Sequence, residues 1–373
     1  GSLLDKGTAD LSREAIQDRF TALKAQVSCG GSATGANITI QTVRENLPAT
    51  LTLVAKILRS PQFPENEFRQ AREAELADIE EGRSDPQTRA SNALGRYFNR
   101  HPRGDIRYTS TFDESAEDVN AVTLEQVRTF YRTFYGADHA EVAIVGDFDV
   151  AAATKALQEG LSGRSSSQPY AIVLDDFKAF PGNRIQLETP DKANAVFLMR
   201  QPIPLMDSDP DAPALTLGNY ILGEGFLNSR LAMRIRQQEG LSYGVGSYLK
   251  LNDKVPNSLI GAYAIYAPQN REKLEKAVSE VMKQAIQYGF TAEEIKAGQS
   301  ALMQSRQLGR AQDGSLAALL SKLLFDHRTM DFVADLDNKL MALDAATVNQ
   351  VLSRYLDPDR FVEVVAGDFS KKP

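Results

Sequence analysis

Apolar residues recur along most of this chain at the i, i+3, i+4 spacing of helices that bury one face. Leu47, Leu51, Val54, Ala55 and Leu58 form one such stripe, and Leu274, Ala277, Val278, Val281, Met282, Ala285 and Ile286 form another. Shorter apolar or alternating runs at 184–188, 193–200, 243–251, 258–267 and 361–366 read as strands. A further helical stretch opens near Ala214. The mixture predicts an α+β fold, a mainly antiparallel sheet covered by helices.

The pattern occurs twice. Residues 122–148 read VTLEQVRTFYRTFYGADHAEVAIVGDF, and residues 343–369 read LDAATVNQVLSRYLDPDRFVEVVAGDF. The offset is 221 with no gap, so Val127 meets Val348, Phe134 meets Tyr355 and Gly146-Asp147-Phe148 meets Gly367-Asp368-Phe369. Each copy predicts an amphipathic helix, a turn and an apolar strand ending in a Gly-Asp turn. Upstream, Arg44-Glu45-Asn46-Leu47 matches Arg271-Glu272-Lys273-Leu274 at an offset of 227, which also carries Leu51 to Val278, Phe63 to Phe290 and Glu67 to Glu294. Two tandem copies of one α/β sandwich domain follow: residues 1–165, a Ser/Pro/Gly-bearing linker at 166–183, and residues 184–373. The first copy has no counterpart of the opening strands at 184–200. A sheet short of strands leaves an edge exposed, so the chain is expected to be part of something longer or of a complex.

Composition narrows the function. The 373 residues exceed the usual single-core size. The net charge is −7, and no Lys/Arg cluster with interleaved aromatics occurs, which argues against a nucleic-acid or anionic-membrane partner. No apolar run approaches the roughly 20 residues that span a bilayer. The single cysteine, Cys29, excludes an internal disulfide and reads as buried and inert. Gly1-Ser2 reads as an appended scar. Gly223-Glu224-Gly225 lacks the third glycine of a dinucleotide loop and reads as a turn.

Several stretches resemble one family. ILGEGFLNSRLAMRIRQQEGLSY at 221–243 is similar to the LGGG-x-x-SRL…R-x-x-x-GL-x-Y stretch in the second domain of pitrilysin/insulinase-type (inverzincin) metallopeptidases. Leu4-Asp5-Lys6-Gly7-Thr8, Arg59-Ser60-Pro61-Gln62-Phe63 and His101-Pro102-Arg103-Gly104 fit the family pattern in order. The resemblance covers nearly the whole chain. It implies one half of a clamshell whose two halves, fused or associated, close around a chamber. Only one half of such an enzyme carries zinc.

The family's zinc site is an inverted H-x-x-E-H motif with a distant Glu. Of the three histidines, His101, His139 and His327, no two lie one helical turn apart. Asp78 falls where the distant ligating Glu belongs, and its side chain is one methylene shorter. On the residues alone, Glu73, Glu75, Asp78, Glu80 and Glu81 read as a solvated helix face. No cofactor is expected in this chain, with zinc in the catalytic half. The resemblance gives Arg236 and Tyr243 a substrate-binding role, as donors to a peptide carbonyl and to the oxyanion that forms at it. Otherwise Arg236 pairs with Glu239 on a surface and Tyr243 packs in the core.

The expectation is therefore a non-catalytic half of a zinc peptidase. It closes the chamber, binds unfolded peptides, pairs with a zinc-binding half or subunit, and by family habit is periplasmic. The alternatives are a structural subunit, like the peptidase-derived core proteins of the respiratory bc1 complex, and a peptide-binding module with no peptidase role.

Overall fold

The computed structural model describes residues 1–370. Its first half contains α1 (Arg13–Ala22), β1 (Gln26–Gly31), β2 (Ala36–Gln41), α2 (Leu47–Arg59), α3 (Glu65–Gly82), α4 (Pro86–Phe98), α5 (Phe112–Ala121), α6 (Leu124–Phe134) and α7 (Val150–Leu161). The second contains β3 (Asn183–Glu188), β4 (Ala195–Ile203), α8 (Ala212–Asn219), β5 (Ser242–Lys250), β6 (Ser258–Tyr266), α9 (Arg271–Tyr288), α10 (Ala292–Arg310), α11 (Asp313–Phe325), α12 (Met330–Ala342), α13 (Ala345–Tyr355) and β7 (Val362–Gly367). Two strands followed by five helices, β1 to α6, recur one for one as β5 to α13. Even the caps repeat. Thr123 accepts the Gln126 amide at the start of α6, and Asp344, 221 positions on, accepts the Thr347 amide at the start of α13.

The chain forms two compact units, each discontinuous. Unit 1 comprises Gly1–Ile79, Asp113–Val173 and Gln312–Phe325, and unit 2 comprises Glu80–Phe112, Leu174–Ala311 and Asp326–Pro373. This division differs from contiguous domains bounded at 165 and 184. The α4 helix of the first copy groups with unit 2, and α11 of the second groups with unit 1. Packing explains the first: Ala90 and Leu94 of α4 are fully buried against Val196, Leu198, Val362, Val364 and Ala366.

Unit 2 holds a five-stranded sheet in the order β3-β7-β4-β6-β5. Only the β3–β7 pair is parallel. One face carries α4. The other buries Phe197, Ile260, Ala264 and Val365 against α8, α9 and α13. Close approach of α8 to α13 needs a glycine: a Cβ on Gly218 would stand 3.0 Å from Leu352 Cδ2.

Unit 1 has only the antiparallel β1–β2 pair. Ile16 and Phe20 of α1 pack with Leu53, Val54 and Ile57 of α2, and Leu51 packs with Ala153 and Ala156 of α7. The strand expected near 142–147 does not form; residues 141–146 lie outside both sheets. Their counterpart, β7, is held between β3 and β4, and the first copy contains neither of those strands.

Candidate functional site

The stretch from Tyr220 to Tyr243 departs repeatedly from regular helix. At the end of α8 the Gly225 amide donates to the Tyr220 carbonyl five residues back, at 2.8 Å, which makes a π-helical turn at Tyr220–Glu224. Asn219 Nδ2 donates to Glu224 Oε2 at 2.7 Å beside it. Phe226 then sits at φ +53, where a bulky side chain is strained, and its ring is 69% exposed. The Ser229 hydroxyl donates to the Phe226 carbonyl at 2.7 Å and accepts from the Ala232 amide at 3.3 Å, which holds that conformation. A second π-helical run, Ala232–Gln238, follows.

Three arginines in this segment have different surroundings. Arg230 donates twice to Glu294, at 2.7 Å each, and lies 4.4 Å over the Phe290 ring. That pairing holds the Glu294 carboxyl below its ordinary value. Arg234 pairs with Glu239 and, at 3.0 Å, with Glu280. Arg236 makes no ion pair among the described residues; its guanidinium lies 5.8 Å from the Phe226 ring centre and is open to solvent. Glu239 is paired with Arg234, so the alternative of an Arg236–Glu239 surface pair is not what the structure holds.

The turn after Arg236 is closed by the Leu241 amide donating to the Ile235 carbonyl at 2.9 Å, with Gly240 at φ +63. Tyr243 then enters β5, the edge of the sheet, on a β-bulge. Ser242 pairs with Tyr266 and Gly244 with Ile265, which leaves Tyr243 as the extra residue. The Ser242 hydroxyl donates to the Ile265 carbonyl at 2.6 Å and accepts from the Gly244 amide at 3.1 Å. The bulge turns the Tyr243 ring outward, 65% exposed, and not into the core. The two residues flank one closed turn at an edge strand, and both present donors to solvent.

The other candidates fall elsewhere. Asp78 lies exposed on α3 in unit 1. Among the described residues no group of three or more His, Cys, Asp or Glu side chains could hold a metal ion. Cys29 is half-buried on β1, not enclosed as expected, and burial pushes its thiol up to about 11. His101 stands within a charged cluster of unit 2: its Nε2 lies 3.0 Å from Asp175 Oδ1, and Arg100 also donates to Asp175. Sequence reasoning missed Phe226 and the Ser242 bulge. The only available signal for the bulge was a serine and a glycine flanking a tyrosine at a strand start.

With this geometry in hand, comparisons with known proteins converge. Residues 121–302 match the family model described as "Peptidase M16 inactive domain". Over that stretch the chain is similar to the peptidase M16 inactive domain. An uncharacterised zinc protease of Streptomyces coelicolor is 25% identical over 325 residues, covering 86% of this chain and 69% of its own. A protein of Helicobacter pylori named a non-peptidase homolog is 20% identical over 360 residues, covering 95% of this chain and 80% of its own. Among solved structures, the peptidase M16 inactive domain from Pseudomonas fluorescens superposes with a TM-score of 0.82 at 22% identity, covering all of this chain and 87% of that one. The periplasmic protease PqqL from Escherichia coli gives 0.74 at 16% identity; the match covers 98% of this chain but 40% of PqqL. These likenesses agree with the resemblance in the sequence and with the α+β fold. Within the M16 inactive-domain match lie both π-helical turns, Arg236 and the Tyr243 bulge.

Proposed function

We propose that this chain is the non-catalytic half of a zinc peptidase, closing the proteolytic chamber and binding unfolded peptide through Arg236 and Tyr243. The carrying observation is the contrast among neighbours. Arg230 and Arg234 are occupied by Glu294, Glu239 and Glu280, whereas Arg236 makes no ion pair among the described residues. Tyr243 is the extra residue of a bulge that the Ser242 hydroxyl ties to the Ile265 carbonyl and the Gly244 amide. Strained and irregular backbone at Tyr220–Glu224, Phe226 and Tyr243 concentrates in this one segment, as it does at working sites. Guanidinium and phenol are both donors, suited to a peptide carbonyl or a developing oxyanion.

In this reading zinc belongs to the partner half, and this chain supplies binding and orientation. The periplasm is the proposed compartment, in keeping with the described location of PqqL. A second reading has its own support in the Helicobacter pylori relative named a non-peptidase homolog: peptide binding with no peptidase partner.

The test is fluorescence anisotropy with a labelled, unfolded 20-residue peptide. The chain should bind it, and Arg236→Ala or Tyr243→Phe should each weaken binding about 5–30-fold, the loss of one hydrogen bond worth about 1–2 kcal/mol. Unchanged affinity in both variants would remove these residues from the site. Cleavage of the peptide on adding a catalytic M16 partner would favour the first reading over the second.

A further inference from the structure

Arg230, Arg271 and Arg328 of unit 2 each lie over a phenylalanine ring, at 4.4, 4.5 and 4.1 Å from the centres of Phe290, Phe369 and Phe332. Each also donates to a carboxylate, that of Glu294, Glu275 or Asp207. The three rings are buried or half-buried. In these pairs the carboxylate fixes the guanidinium and the ring adds packing.

Arg236 is held differently. It makes no ion pair among the described residues, and its guanidinium lies 5.8 Å from the centre of the Phe226 ring, within the range of a cation–π attraction. That ring is 69% exposed. Its backbone sits at φ +53, in the left-handed region that strains a bulky side chain. Exposure and strain are both unfavourable, and burial offsets neither.

Hydrogen bonds nonetheless hold this arrangement. The Ser229 amide and hydroxyl both donate to the Phe226 carbonyl, at 3.1 and 2.7 Å. The same hydroxyl accepts the Ala232 amide at 3.3 Å, at the start of the π-helical run that carries Arg236. Gln237, next after Arg236, donates through Nε2 to the Leu227 carbonyl at 2.7 Å. The turn that carries the ring is thus tied near both ends of the run that carries the guanidinium.

We propose that Phe226 is a positioning residue: its ring holds the Arg236 guanidinium in place for the bound peptide, as a carboxylate does for the neighbouring arginines, without neutralising it. A carboxylate at that place would take up N–H donors and cancel the charge. An aromatic face attracts the cation and leaves those donors to a peptide carbonyl. Restricting a long side chain beforehand lowers the conformational entropy lost when the peptide binds. The strain at Phe226 is then part of the preorganisation. The proposal rests on the peptide-binding role of Arg236 given above.

The test combines the anisotropy titration with nuclear magnetic resonance of the arginine Nε–H groups and with urea unfolding. Phe226→Leu keeps the apolar bulk and removes the ring. It should weaken peptide binding about two- to fivefold, the effect of an exposed cation–π contact. Phe226→Tyr should bind as the wild type does. In an Arg236→Ala background Phe226→Leu should have no further effect, because the ring acts through the guanidinium. In the free chain the Arg236 Nε–H resonance should carry an upfield ring-current shift that Phe226→Leu removes and Phe226→Tyr keeps. Phe226→Gly should weaken binding while raising the urea midpoint, since glycine takes this φ without strain. Wild-type affinity in Phe226→Leu, the same loss in the Arg236→Ala background, or a Phe226→Tyr variant as weak as Phe226→Leu would overturn the inference and leave the peptide-binding reading standing. A lowered urea midpoint in Phe226→Gly would make the residue structural and overturn it too. Wild-type affinity in Arg236→Ala would overturn both.

Discussion

The Ser242 hydroxyl donates to the Ile265 carbonyl at 2.6 Å across the bulge that carries Tyr243. The same oxygen accepts the Gly244 amide, so one buried side chain fixes both ends of the bulge and the aim of the tyrosine. Ser242→Ala would strand the Ile265 carbonyl and the Gly244 amide. The expected cost is about 1–3 kcal/mol, with faster exchange of the Gly244 amide as the local readout.

Substitutions at the exposed pair should behave differently. Arg236→Ala and Tyr243→Phe remove groups that contact solvent, so the melting temperature should move by little, within about 0.5 kcal/mol of stability. A large loss of stability in either variant would make the residue structural. Paired with the anisotropy titration, thermal unfolding thus separates a binding role from a folding role.

Acid stability should depend on Arg230 and Glu294. The hydrogen bonds from Arg230, the largest influence, hold the Glu294 carboxyl below its ordinary 4.5. A carboxylate with a depressed folded-state pKa contributes stability that is present above the unfolded value and is lost as pH falls through the folded one. Unfolding free energy of the wild type should therefore fall below pH 4.5 more steeply than that of Glu294→Gln. Parallel curves in urea titrations at pH 3–6 would count against this.

Gly289 offers a backbone prediction. It ends α9 at φ +70, and a Cβ there would lie 2.1 Å from Cγ of Asn349. Asn349 accepts the Phe290 amide at 2.7 Å and donates to the Phe290 carbonyl at 3.0 Å, so it is not free to move aside. Gly289→Ala should cost at least about 1–3 kcal/mol. Gly314, in the first turn of α11 with open space around it, is the control: its alanine variant should be neutral or stabilising.

Much of this was legible in the sequence, and the reasons differ by element. The strands at 184–188, 243–251, 258–267 and 361–366 lie within a residue or so of β3, β5, β6 and β7, because their apolar faces are continuous and turn residues bound them. The repeat anticipated the one-for-one order of helices. The strand near 142–147 was misjudged because its side-chain pattern is that of β7, and pattern says nothing about whether pairing strands are available. The placement of α4 was not legible: Ala90 and Leu94 mark a buried face but do not say which sheet it covers. At the site, Arg236 and Tyr243 came from the family resemblance. Their surroundings depend on π-helical turns and a bulge, which shift side chains by one position in ways that spacing cannot specify.

The central proposal is that this chain leaves zinc to a partner half and does not cleave peptides by itself. The most direct test is zinc content by elemental analysis together with hydrolysis of an unfolded peptide by the purified chain. The account predicts far less than one zinc per chain and no hydrolysis, with or without added zinc. Stoichiometric zinc with cleavage abolished by a chelator would contradict it.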